Sequence, residues 1–392
     1  MGGLRALRWD PGVRGLRALG ARLKAPPWTR LLGGGLARRA FLAAGLSGAG
    51  ALLLFGLAAV FFGASDVASG PAIEMAVPAA GPADRAAVPE PMADEPAAEG
   101  FHVAAVVAEA YRGITRAPAA EPLPAAPVPD LIESRGAFRL PRVGVDGRLP
   151  YEAYARPFDR RDDRPRLSIV IFGFGLSATA SQAVLDHLPA AVTLALDAYA
   201  ADPGRWLVAA RAAGHEVFAA LPIQAADGER IDAGPRALVP GAAVAGNLAR
   251  LDQILAHCTG CVGVIALGGE GVADFEPLLP TLRVVQQRGL MFIDAARAGQ
   301  RPLVPIADRI GLPHAWLDTT IDAEPSAAAI DAKLRRLEEA ALKTGVAVAA
   351  AGASPLAVRR LVLWSETLAA RNLVLAPLSA AVAPQVVADA PQ

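Results

Sequence analysis

The clearest indication of the fold is the stretch 167–189, which reads LSIVIFGFGLSATASQAVLDHLP. The run 167–172 combines β-branched and aromatic residues over a length typical of a strand. Glycines follow it, and 178–188 then shows the apolar spacing of a helix. A strand that passes through a short glycine turn into a helix is the repeating unit of a parallel α/β fold.

The same unit recurs towards the C-terminus. Further strands are predicted at 192–196, 216–221, 262–267, 290–294, 315–318, 346–350 and 373–376. Further helices are predicted at 205–213, 244–257, 275–288, 326–343 and 355–370. Seven or eight β/α steps in roughly 225 residues predict a barrel-like α/β fold, with any chemistry at the C-terminal ends of its strands.

The N-terminal region predicts a membrane anchor. Residues 41–64 carry no charge, and roughly 20 such residues cross the hydrocarbon core as a helix. Residues 1–40 are rich in arginine, so the positive-inside rule keeps this basic tail in the cytoplasm. The prediction is a single-pass protein of the inner (cell) membrane with a periplasmic C-terminal domain. A cleaved signal peptide is the alternative, since 62–65 is compatible with processing.

The segments that flank the barrel have a different composition. Residues 65–140 are dominated by Ala, Pro, Glu and Asp, which predicts a disordered linker because too little apolar surface is available to offset the entropy of ordering. Within it, 101–112 has the spacing of a short helix. Residues 141–165 are predicted to be an extended lead-in segment, and 383–392 a flexible tail.

Several stretches together resemble the divergent polysaccharide deacetylase family. Besides 167–189, they are VTLALDAYAADPGRWLVAARAAGHEVFAALPIQ, DAGPRALVP, CVGVIALGGEG, GLMFIDAARA and GVAVAAGASP. The resemblance spans Arg166 to about Val382 and implies the irregular β/α barrel of the metal-dependent deacetylases. It also implies a hydrolase site in which two aspartates end the first strand, one as base and one as metal ligand, with further ligands, including histidines, on later strands.

This chain departs from that pattern at each of those places. Phe172 and Gly173 stand where the two aspartates are expected, and Gln224 stands where the family has Glu. The stretch 265–268 reads Ile-Ala-Leu-Gly in place of an Asn-Asn-His type sequence, and 352–354 reads Gly-Ala-Ser in place of Gly-His-Pro. A zinc-type hydrolase needs about three His or carboxylate ligands. No metal, cofactor or catalytic residue is therefore predicted.

A few carboxylates remain near the predicted strand ends. Asp294 and Asp318 each close a strand, with Glu270 and Asp322 on neighbouring loops. They could form an acid/base pair or a weak cation site, or they could cap turns and helices. Asp294 is the first catalytic candidate. The vestigial pocket is predicted to comprise Phe172, Gly173, Gln224, Glu270, Asp294 and Asp318.

The histidines and cysteines favour structural roles. His215 precedes its strand and so belongs to the end of the barrel that is associated with stability. Cys258 and Cys261 form a C-x-x-C that follows a helix, which predicts a disulfide or unpaired loop thiols. A thioredoxin-like motif would open a helix, and a zinc site would need two more ligands.

Composition and motifs leave three functional hypotheses. Lys+Arg and Asp+Glu both number 38, so no overall basic field favours nucleic acid. The first hypothesis is a catalytically inactive envelope protein that binds a polysaccharide or another envelope protein. The second is an atypical deacetylase that acts on envelope polysaccharide through the remaining carboxylates. The third is a structural scaffold in an envelope complex.

Overall fold

The computed structural model describes residues 108–228, 230–296 and 299–382. The predicted anchor 41–64, the basic tail 1–40, the C-terminal tail 383–392 and the linker up to residue 107 lie outside the described residues. Within the part of the chain that is described, none of the helices has both the length and the apolar character that crossing a bilayer requires.

The centre of the fold is a curved sheet of parallel strands. Its order is β8-β7-β6-β5-β4-β3-β10-β9, and β11 pairs with the start of β3. The strands are β3 (Arg166–Phe174), β4 (Thr193–Leu196), β5 (Val217–Ile223), β6 (Gly263–Gly268), β7 (Met291–Ala295), β8 (His314–Trp316), β9 (Thr319–Thr320), β10 (Val346–Gly352) and β11 (Val374–Leu375). A separate antiparallel hairpin precedes them, formed by β1 (Ile132–Arg135) and β2 (Phe138–Pro141).

One chain segment joins the two edges of the large sheet. β8 and β9 are separated only by Leu317 and Asp318. The Leu317 N–H donates to the carbonyl of Asp294 on β7, whereas the Asp318 N–H donates to the carbonyl of Val348 on β10, both at 2.9 Å. The strands therefore close into a barrel-like ring at this level.

The helices are α1 (Pro150–Tyr154), α2 (Ala178–His187), α3 (Pro203–Ala212), α4 (Val244–His257), α5 (Leu279–Gln287), α6 (Val304–Ile310), α7 (Ala327–Thr344), α8 (Pro355–Ser365) and α9 (Leu378–Ala381). Helices α2 to α8 cover the outside of the ring, whereas α1 and α9 contribute Tyr154 and Leu378 to its interior. Side-chain caps explain where four of them begin, because each accepts a hydrogen bond from the N–H three residues later. The caps are Ser177, Asp202, Ser326 and Ser354.

Two apolar cores lie on the two faces of the sheet. Val170, Phe218 and Ile293 belong to the cluster inside the ring. Their chain neighbours, such as Ile171 and Phe292, belong to the cluster between the strands and the helices. Because both faces are buried, the strands are continuous apolar runs rather than alternating ones.

All eight predicted strands and the predicted order of alternating helices are confirmed. Helices α1, α6 and α9 were not predicted. Each is shorter than eight residues, so the apolar periodicity that identifies a helix spans at most two turns there.

The predicted linker differs from the structure over 108–140. Tyr111, Leu123 and Leu140 are buried in this stretch, which runs along the barrel and contains β1 and β2. The buried guanidinium of Arg211 donates to the carbonyls of Pro124 and Tyr154 and so holds the chain in place. The apolar residues are too far apart to form a periodic pattern, so composition alone suggested disorder. The lead-in segment 141–165 likewise contains helix α1.

Candidate functional site

The mouth of the barrel, at the C-terminal ends of the strands, is apolar where a hydrolase would be polar. Phe172 on β3 and Leu267 on β6 pack partly buried against the inner cluster. Ala295 on β7 belongs to the same cluster. None of these side chains offers a lone pair to a metal ion or accepts a proton.

Glycines lie near the C-terminal ends of β3 and β6 at this mouth. Gly173 has φ +72°, a left-handed conformation that L side chains rarely adopt. Gly268 has φ +85°, and a Cβ placed there would lie 2.6 Å from the carbonyl oxygen of Ile223. The backbone at both positions therefore selects glycine, and a ligand side chain at 268 would clash.

Gln224 holds a loop rather than a ligand. Its side-chain amide donates to the carbonyl of Ile231 and its side-chain oxygen accepts from the N–H of Ala233. Both groups of the amide are thus engaged by the loop that follows β5. Glu270, on the loop after β6, is exposed.

Asp294 lies on the other side of the sheet from the barrel interior. It alternates with the inner residues Ile293 and Ala295, so its carboxylate points into the layer that contains α6. There it accepts hydrogen bonds from the N–H groups of Leu303, Val304 and Ala296 at 2.6, 3.1 and 3.3 Å. Burial raises the pKa of Asp294, while these bonds act in the opposite direction. The leading catalytic candidate is therefore placed as a cap at the start of α6.

Asp318 joins two strands. One carboxylate oxygen accepts from the N–H of Val348 at 2.9 Å, and the other accepts from the indole Nε1 of Trp316 at 3.1 Å. Nη2 of Arg301 lies 3.6 Å from Oδ1 of Asp318. Asp322 similarly accepts from the N–H of Gly352 at 2.8 Å. Both carboxylates accept hydrogen bonds from β10 and so tie this strand to the segment that closes the ring.

The four described histidines lie away from the C-terminal ends of the strands. His187 and His257 end helices α2 and α4, and His314 begins β8. His215 precedes β5 and is buried, with its Nδ1 2.7 Å from the carbonyl oxygen of Val192. Burial lowers the pKa of His215 to about 4. His102 lies outside the described residues.

Cys258 and Cys261 are joined in a disulfide. Both are buried in the connection between α4 and β6, so the pair closes a tight turn far from the barrel mouth.

The donor set that a deacetylase metal would require does not fit this chain. Nowhere in 108–228, 230–296 and 299–382 do three or more His, Cys, Asp or Glu side chains gather as they would around a metal ion. The places expected to supply ligands hold Phe172, Gly173 and Leu267 instead. No catalytic step through a metal follows from these residues.

A cleft in the barrel wall is not among the predicted sites. Arg301, His314 and Trp316 line it. The signal in the sequence is the alternation His-x-Trp-x-Asp over 314–318, which places polar or aromatic side chains on one face of a strand.

Comparisons with known proteins agree with this architecture. The family model described as divergent polysaccharide deacetylase matches residues 169–382. A crystal structure of an uncharacterized protein from Agrobacterium tumefaciens C58 is 33% identical, with a TM-score of 0.60. The match covers 62% of this chain and 100% of that one. Among curated proteins, none matches the chain.

Proposed function

From the premise that this chain belongs to the divergent polysaccharide deacetylase family, we propose that it is a catalytically inactive member. In this proposal it is tethered to the inner membrane and binds an envelope polysaccharide or an envelope protein with its barrel domain. The observation that carries the proposal is the apolar mouth, in which Phe172 and Gly173 stand where the resemblance places two aspartates.

The remaining carboxylates supply too little chemistry. Asp294 and Asp318 are engaged by backbone N–H groups. An isolated general base contributes about 10²- to 10⁴-fold, whereas enzymes typically accelerate reactions by 10⁶-fold or more. A carboxylate without a Lewis acid to polarise the acetyl carbonyl therefore falls short.

Exposed apolar side chains around the mouth favour a binding role. Leu176 follows β3 and is 57% exposed, Tyr199 follows β4 and is 37% exposed, and Ile231 on the loop after β5 is 49% exposed. All three residues follow the C-terminal ends of strands, the end of such barrels that carries binding sites. We take this end of the barrel as the binding face.

Acetate release tests the loss of catalysis. The purified protein is incubated with acetylated chito-oligosaccharide, with added Zn²⁺ or with EDTA, beside the variants Asp294→Asn and Asp130→Asn. We expect no turnover above the uncatalysed rate in any sample, because no cluster of metal ligands accompanies a possible base among the described residues. Turnover in the parent that EDTA or Asp294→Asn abolishes, while Asp130→Asn at an exposed position keeps it, would overturn the proposal.

Protease accessibility tests the tether. The uncharged run 41–64 after an arginine-rich segment should hold the N-terminus in the cytoplasm and the barrel outside it. In cells whose outer layer is opened, added protease should degrade the barrel domain, and the undigested protein should sediment with membranes. A domain that is protected until the inner membrane is permeabilised would contradict this topology, and a shortened, freely released protein would indicate cleavage.

A further inference from the structure

A cleft opens the barrel wall between β8 and β10. Its volume is about 640 Å³. The cleft lies on the N-terminal side of the bond between Asp318 and Val348, away from the barrel mouth. The residues that line it come from β8, β10 and the ends of α6, α7 and α9: Arg301, Asp308, Leu312, Pro313, His314, Ala315, Trp316, Asp318, Ala340, Thr344, Val346, Val348 and Ala381.

The cleft exists because the closing segment changes partners. Over Thr319–Thr320 the segment pairs with β10. Over His314–Trp316 it pairs with β7 alone. The two strands thus separate below Val348, and each presents an edge to the cleft.

Some main-chain groups on these edges are unbonded within the part of the chain that the structure describes. Alternate residues of a strand direct their N–H and C=O to opposite sides. Pro313 and Leu317 bond β7, so His314 and Trp316 direct theirs towards β10. Among the described residues none bonds these main-chain groups, nor the N–H of Val346 on the facing edge. An open strand edge is a template for another strand.

The two sides of the cleft differ in polarity. Ala315 and Val348 belong to the cluster inside the ring, and together with Val346 they make the inner side small and apolar. The side chains of His314 and Trp316 alternate with Ala315 and so line the outer side. A strand placed here would need small apolar residues at alternate positions and polar residues between them.

The side-chain groups that a sugar would use are already engaged. The guanidinium of Arg301 lies 3.9 Å from the centre of the Trp316 ring, covering one of its faces. The Trp316 indole N–H donates to Asp318, which also pairs with Arg301. The two strand edges still offer main-chain N–H and C=O groups. Main-chain hydrogen bonds are how a sheet edge binds an extended peptide.

We propose that the cleft between β8 and β10 binds an extended segment of a partner polypeptide by strand addition. The edge His314–Trp316 accommodates about 10 Å of strand, or roughly three residues. The fitting segment alternates small apolar residues with polar ones. The carboxylate of Asp308, whose side chain is 67% exposed, favours a basic residue on the outer face of that segment. The proposal goes beyond the proposed function and holds whether or not the barrel mouth hydrolyses acetyl groups.

A phage-displayed library of random heptapeptides, panned on the full chain, tests the cleft. Ala340→Trp and Thr344→Trp on α7 fill it from one wall. Leu342→Trp adds the same side chain to the same helix at a position that is 61% exposed and outside the cleft. We expect enriched clones to bind the parent and Leu342→Trp, and to bind both cleft variants at least 10-fold more weakly. Thermal melts of the variants show that they are folded.

Synthetic peptides then separate main-chain from side-chain recognition. N-methylation at alternate residues of an enriched peptide should weaken binding by about 10-fold or more, because it removes donors to the strand edge. If no clone discriminates the parent from the filled variants, or if the N-methylated peptide binds equally well, the proposal is wrong. Chitotetraose that binds the parent and Leu342→Trp but not Ala340→Trp would show a glycan site instead. Acetate release by the parent would overturn the proposed function and leave the cleft result standing.

Discussion

Replacing Glu216 by Ala is expected to destabilise the protein by about 3–5 kcal/mol, because four donors lose their shared acceptor in a buried site. Glu216 is fully buried at the start of β5. One carboxylate oxygen accepts from Thr193 Oγ1 and from the N–H of Ser379, both at 2.9 Å. The other accepts from Ser379 Oγ at 2.6 Å and from the N–H of Arg156 at 3.1 Å.

These bonds hold three separate parts of the chain together. Arg156 follows helix α1, Thr193 begins β4, and Ser379 lies in the C-terminal helix α9. Denaturant unfolding measures the loss, and the melting temperature should fall by roughly 10 °C.

Glu216→Gln should have a smaller effect, because the Ser and Thr hydroxyls can reorient to accept a hydrogen bond from the new amide, whereas one backbone N–H cannot. Glu339→Ala, at an exposed position on α7, should change stability by less than about 0.5 kcal/mol. A loss at Glu216→Ala as small as that of this control would contradict the prediction.

His215 is expected to make stability fall by roughly 3 kcal/mol as the pH is lowered from 7 to 4. Burial lowers the pKa of its ring from 6.5 to about 4. The unfolded chain therefore binds a proton near pH 6.5 that the folded chain does not bind until about pH 4. The contribution of His215 is fully present above pH 6.5 and is lost progressively between these values. The Val192 carbonyl only accepts, so the His215 Nδ1 carries the hydrogen.

The pH profile of a variant isolates this effect. His215→Asn should flatten the dependence of the free energy of unfolding between pH 6.5 and 4, whatever it does to stability at pH 7. His187→Gln, at a partly exposed ring on the surface of α2, should keep the slope of the parent. A slope that is unchanged in His215→Asn would show that other groups cause the acid sensitivity.

Both predictions concern the N-terminal end of the barrel. There Glu216 and His215 form a buried polar layer that binds the lead-in segment and the C-terminal helix. At the opposite end, Phe172 and Leu267 present apolar side chains. In barrels of this kind one end carries stability and the other function, so Glu216 and His215 belong to the stabilising end.

The pattern along the chain was sufficient to predict the β/α units, because apolar runs that are followed by glycine turns identify them. It also places Phe172 and Gly173, whose side chains cannot act as metal ligands, where the resemblance implies two aspartates. Which side of the sheet the Asp294 carboxylate faces became clear only from the tertiary structure. In a parallel sheet that is buried on both faces, a strand reads as one apolar run, and the pattern does not say which face each residue occupies. Pairing with β6 and β8 placed Asp294 outside the ring at the start of α6. The change of partner along 314–320, which closes the barrel and opens the cleft, likewise depends on contacts between segments far apart in the chain.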